Sequence, residues 1–245
     1  MHHVNLIEYL LGFVVSDPHT FMFDSYASMS QFIGAILVTL LFVVIALAVR
    51  SHYKKIGIDK AVVPSGKIGL VNLMEFAIGS LEDFAVGIIG PHHGPKFAPL
   101  IITIFMFILF MNLLGNIPGM PAASANISLN AGMAVFVFLT YNFYGFKEHG
   151  FGYIKHFMGP VIWLAPLMFA IEIVSHFVRP ASLSIRLFGN INGDHIAVGI
   201  FSGMVPVLIP AIFMALGLFV AFIQALVFSM LSAVYIQLAT SHEEH

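Results

Sequence analysis

The chain has 245 residues, 59% of them hydrophobic and 9% charged, with a mean hydropathy of +0.96 and a formal net charge of −2. Globular domains carry about 25% charged residues, so this composition specifies an integral membrane protein and excludes an ordinary soluble enzyme. The absence of cysteine excludes disulfides and thiolate–metal sites, and no basic block points to nucleic acid.

Residues 1–30 contain Glu8, Asp17 and Asp24 and lack a basic amino-terminal region, so they read as an outer segment rather than a signal or transit peptide. The first apolar span is 32–49, long enough as a helix to cross a hydrocarbon core of about 30 Å. The connector 50–67 holds Arg50, Lys54, Lys55, Lys60 and Lys67, half of all the lysine and arginine in the chain. Positive charge marks the cytoplasmic side, so the amino terminus is expected outside.

Residues 68–89 are apolar but carry Glu75, Glu82 and Asp83, which with Asn72 and Gly79 fall at spacings of three, four and seven. That pattern puts a narrow polar stripe on a helix. Three carboxylates are expensive in one lone span, so this segment is expected to lie at the cytoplasmic interface as an amphipathic helix. Two further spans follow at 99–116 and 127–146. The uncharged Gly/Pro/Ala/Ser loop between them suits the outside, and the loop with Lys147 and Lys155 suits the inside.

The last two segments, 161–200 and 204–240, would run about 60 and 55 Å as helices, nearly twice the bilayer core. They must be steeply inclined, or else broken at Pro180, Gly189, Gly193, Pro206 or Pro210. The expected arrangement is a steeply tilted antiparallel hairpin, with an uncharged turn Ser202–Pro206 outside and the acidic tail 241–245 inside. The whole is an all-α membrane protein of about five membrane helices plus one interfacial helix. No internal repeat is visible, which counts against an inverted-repeat transporter.

Within 161–200, Glu172, Arg179, Arg186 and Asp194 stand where hydrocarbon would be expected. A charged residue in a membrane core costs roughly 2.5 kcal/mol or more on insertion scales. Arginine cannot escape by losing its proton, so such a residue faces water or protein and marks an ion path. Glu172, Arg179 and Arg186 are seven apart and drift only about 20° per step around a helix, so they share a face. Arg179, next to Pro180, reads as a snorkelling or structurally paired residue. Arg186 is flanked on both sides by apolar or small residues, and that bland explanation fits it poorly.

The run Arg186-Leu-Phe-Gly-Asn190, preceded by Arg179-Pro-Ala-Ser-Leu-Ser and followed by Gln224-Ala-Leu-Val-Phe and Val234-Tyr235, resembles subunit a of F-type rotary ATP synthases. The resemblance extends from Val63-Pro-Ser-Gly-Lys to the carboxyl terminus. It implies a non-catalytic stator subunit in a bacterial inner membrane, with no cofactor or metal of its own. Its implied partners are a rotating c-ring bearing acidic groups, the peripheral-stalk b subunits, the rest of the F1Fo complex and membrane lipid. Arg186 would favour the ionised carboxylate of each passing ring subunit, displacing its proton or sodium ion, and would block direct leakage. No Gly-rich P-loop occurs, so nucleotide chemistry would belong to partners.

The expected topology orders the polar residues in depth. Glu172 and His176, with Ser175 nearby, fall on the inner side of Arg186, and Asp194 and His195 fall on the outer side. Asn112 and Asn116, near the outer end of their span, can face the same outer path. The plainer alternatives are a packed histidine for His176 and interhelical hydrogen bonding for the two asparagines. An imidazole, with an unperturbed pKa near 6.5, suits a proton relay.

By the resemblance, Gln224 faces the arginine across the hairpin and Asn190 matches the family asparagine one turn after it. Tyr235 matches a family tyrosine, although an interfacial aromatic explains it more simply. Two departures stand out: many bacterial relatives are acidic where this chain has His195, and many carry an ionisable residue where it has Gly217. The competing readings are an anionic-solute transporter with a buried arginine and a haem subunit. For the latter, His176 and His195, 19 apart on one segment, give poor axial geometry.

Overall fold

The computed structural model describes residues 25–56, 69–117, 120, 123–150, 165–201 and 208–240. The expected features at residues 1–24, at Lys60, Lys67 and Lys155, in the turn Ser202–Pro206 and in the tail 241–245 lie outside the described residues. Among those described, the regular structure is entirely helical, as an all-α integral membrane protein requires. Only helices and closed barrels satisfy every backbone polar group within lipid.

Among the described residues six long helices follow in order: α1 Ser25–Ile56, α2 Leu70–Ile89, α3 Gly94–Gly115, α4 Ile127–His149, α5 Ala165–Phe201 and α6 Leu208–Thr240. A single 3-10 turn, Ala123–Ala125, precedes α4. By length and composition, Gln31–Lys54, Gly94–Gly115, Ile127–Glu148 and Ala211–Thr240 can each cross a membrane. α2 with its three carboxylates and α5 with its polar run are not among them.

Helix α3 lies between α2 and α6, while α4 packs along both α5 and α6. Its inward residues Phe97, Ile101, Ile104, Phe105, Ile108 and Met111 recur at helical spacing and are all buried. All but Met111 gather in one core with Ala85 and Ile89 of α2, Val137 and Tyr141 of α4, Leu183 and Leu187 of α5, and Ala225, Phe228, Ala233 and Ile236 of α6. The buried alanines of α6 let neighbouring backbones approach. In a membrane, where lipid is as apolar as the core, that packing and interhelical hydrogen bonds carry association.

The α2–α3 connection is tight for a steric reason. Gly90 closes α2 with φ +97, a conformation that favours glycine, and its N–H reaches the Val86 carbonyl at 2.8 Å. Gly94 then starts α3 so close to α2 that a Cβ there would lie 2.7 Å from Val86 Cα. Pro95 sits in the first turn of α3, where its missing N–H costs nothing. At the ends, Tyr53 Oη of α1 donates to Glu75 Oε1 of α2, and His93 Nε2 lies 4.0 Å from Glu148 Oε1 of α4. The Lys96 ammonium stands 4.8 Å from the centre of the Tyr144 ring.

Helix α1 is peripheral. Its buried Val38 meets Met111 and Ala123, and Phe42 meets Phe110 edge-on at 5.1 Å. Most of its remaining apolar side chains are exposed.

The two last helices have 37 and 33 residues, about 56 and 50 Å at 1.5 Å per residue. Of the two sequence alternatives for α5, tilt or breakage, the helix is unbroken through Pro180, Gly189 and Gly193. Hydroxyls tie down the backbone around the proline: Ser182 Oγ donates to the Arg179 carbonyl at 2.9 Å and Ser184 Oγ to the Pro180 carbonyl at 2.8 Å. Pro210 falls in the first turn of α6, a tolerated place.

Candidate functional site

The site forms where α5 and α6 meet the carboxyl-terminal end of α3. Leu183, Ser184 and Leu187 are buried on one side of α5 and fix its rotation. Arg186, Gly189 and Asn190 therefore emerge on its exposed side. No described acidic side chain forms an ion pair with Arg186. The guanidinium, permanently charged, is thus presented outward from this chain's own core.

Asn190 Nδ2 donates to Gln224 Oε1 at 2.8 Å, joining α5 to α6. Gln224, only 3% exposed, turns its carbonyl to Asn190, one helical turn beyond the arginine, and not to Arg186 itself. Its Nε2 is buried with no hydrogen-bond partner. Asn112, 5% exposed, donates weakly to the Ala221 carbonyl at 3.5 Å, and its Oδ1 is likewise unpartnered. Asn116, half-buried, donates to the Met214 carbonyl at 3.0 Å.

These four amides line one partly open cavity of ≈ 50 Å³ between α3, α5 and α6, together with Ile191, Val198, Phe213 and Val220. Space for one water needs about 10–15 Å³ by the same measure, so the cavity has room for a few waters. The asparagines hydrogen-bond between helices, the plainer of the two roles foreseen for them, and they also line this cavity.

Glu172, His176, Asp194 and His195 all belong to α5, but their side chains lie outside the described residues. Along the helix axis, Glu172 and His176 precede Arg186 by about 21 and 15 Å, and Asp194 and His195 follow it by about 12 and 14 Å. The two histidines share one continuous helix, which does not offer a haem two facing ligands. Among the described residues, no cluster of three metal-ligating side chains occurs.

Two features were not foreseen from the residues alone. Arg179 places its guanidinium carbon 5.2 Å from the centre of the Tyr235 ring, and Tyr235 packs on Tyr141 at 5.9 Å. The second arginine is therefore held by an aromatic face, which gives Tyr235 a structural reason. Gly217 is the other: a Cβ there would lie 2.8 Å from Asn116 Oδ1. The signal for the first was the arginine–aromatic pairing of two flagged residues. For the second there was none, because the partners are 101 positions apart.

Comparison with known proteins adds an independent line. The family model described as ATP synthase A chain matches residues 31–237. ATP synthase subunit a of Geotalea uraniireducens is 52% identical over 169 residues, covering 69% of this chain and 73% of the relative. The subunit a of Bdellovibrio bacteriovorus is 48% identical over 186 residues, covering 76% and 81%.

Proposed function

The chain belongs to the ATP synthase A chain family, and from that premise we propose that it is the stator half of a rotary ion motor, with Arg186 as its fixed charge. Family membership makes it a non-catalytic, ion-translocating, multi-pass subunit of the membrane sector. It also sets aside the solute-transporter and haem readings.

In the proposed mechanism, a ring of partner subunits carries carboxylic groups past the exposed side of α5. Near Arg186 the ionised form of each carboxylate is favoured, so its ion, a proton or a sodium ion, leaves on one side and is replaced from the other. Two offset water paths reach this point. The outer one runs through the amide-lined cavity and past Asp194 and His195, and the inner one past Glu172 and His176. Peripheral-stalk b subunits hold the stator against the turning ring. The membrane is a bacterial inner membrane, the amino terminus lies outside and the carboxyl terminus inside, and α2 lies along the inner surface while the α5–α6 hairpin crosses at a steep inclination.

The observation that carries this reading is the outward presentation of Arg186, without an ion pair to any described acidic side chain, beside the Asn190–Gln224 bond and the amide-lined cavity. Its test is Arg186→Ala in the whole complex. ATP-driven acidification of inverted vesicles should cease while ATP hydrolysis by the detached catalytic head persists. Coupled pumping by that variant would reject the role.

A further inference from the structure

We propose that Asn116 is the constriction of the outer water path, seated in a notch that Gly217 leaves open for it. This rests on the reading of the amide-lined cavity as part of that path. Asn116 Nδ2 is anchored at 3.0 Å on the Met214 carbonyl, one turn of α6 before the glycine. A Cβ at position 217 would sit 2.8 Å from Asn116 Oδ1 and 3.3 Å from its Nδ2. The amide and a side chain at 217 therefore compete for one space, and here the amide holds it.

Depth along α6 makes that amide a threshold. Phe213 and Gly217 lie toward the amino-terminal end of α6, and Asn116 ends α3 at the same mouth of the cavity. Gln224 lies about 10 Å deeper along the helix. Between them the cavity is lined by the Asn112, Asn190 and Gln224 side chains together with Val220 and Ala221. An amide carries both a donor and an acceptor, so a lining of amides suits water, which takes both roles. The ligand of the cavity is water, and Asn116 governs its exchange with the outer phase.

The chain has no cysteine, so one introduced thiol reports cleanly. Val220 lines the cavity beyond Asn116. In assembled complexes in membranes, Val220→Cys is exposed to Ag⁺ from the outer side and the rate of modification is measured. Adding Asn116→Ala should speed the reaction about fivefold or more, the equilibrium worth of one neutral hydrogen bond. Asn116→Leu, which keeps the bulk but loses the Met214 bond, should leave it slow. Gly217→Ala, which evicts the amide, should speed it, and Asn116→Ala combined with Gly217→Ala should add nothing further.

Equal rates in all backgrounds would overturn the constriction while leaving a wet cavity in place. Equal acceleration by alanine and leucine would also overturn it, since that is what loosened α3–α6 packing alone predicts. A thiol unreactive in every background would mean a dry cavity, and would overturn the outer path as well.

Discussion

Asn190 and Gln224, on different helices and 34 positions apart, share a 2.8 Å hydrogen bond one turn beyond Arg186. This bond ties the helix that bears the fixed charge to the helix that lines the cavity. It also engages the Gln224 carbonyl, while the buried N–H₂ group of that side chain has no hydrogen-bond partner among the described residues.

If the pair acts as a unit, Asn190→Ala should slow ATP-driven pumping about fivefold, the worth of one neutral hydrogen bond. Gln224→Leu should slow it at least as much, and the double variant should be no worse than Gln224→Leu alone. Rates that multiply would show that the two residues act separately.

Gly94→Ala should destabilise the α2–α3 hairpin, because the new Cβ meets backbone, Val86 Cα, at 2.7 Å. Overpacking of this kind costs about 1–3 kcal/mol. Gly87→Ala is the control, with nothing within 4 Å of its Cβ. Thermal unfolding of the purified complex should drop for the first variant and hold or rise for the second; equal behaviour would refute the close approach.

Tyr235→Phe should preserve the cation–ring contact with Arg179, whereas Tyr235→Leu should lose about 0.5–2 kcal/mol of it. The readout is thermal stability of the complex. Phenylalanine as damaging as leucine would assign the role to the hydroxyl instead of the ring.

Orientation is tested at two exposed serines, Ser51 at the end of α1 and Ser128 at the start of α4. In the cysteine-free chain, Ser51→Cys should react with an impermeant thiol reagent only from the cytoplasmic side, and Ser128→Cys only from the outer side. The reverse result would invert the depth order of Glu172 and His195 about Arg186.

The membrane-spanning length of α3 was readable in advance, but its inward face was not, because apolar residues surround this helix on every side. Arg186 stood out too, because a guanidinium among apolar neighbours has no inexpensive explanation. The continuity of α5 through Pro180 was not readable. A proline removes one backbone bond and crowds the preceding turn, and whether a helix bends or absorbs this depends on what packs beside it. The relation of Gly217 to Asn116 was equally hidden: taken locally, the glycine is merely a missing side chain, and only the folded chain reveals what stands in its place.

Helix α1 touches the remainder of the described bundle through Ala35, Val38 and Phe42 near its middle and through the Tyr53–Glu75 bond near its end, while Ile36, Leu40, Val44 and Leu47 look outward. It behaves as an outrigger moored at two points. Evolution can swap one aliphatic residue for another along its free flank with little consequence, provided the mooring at Val38 keeps its size.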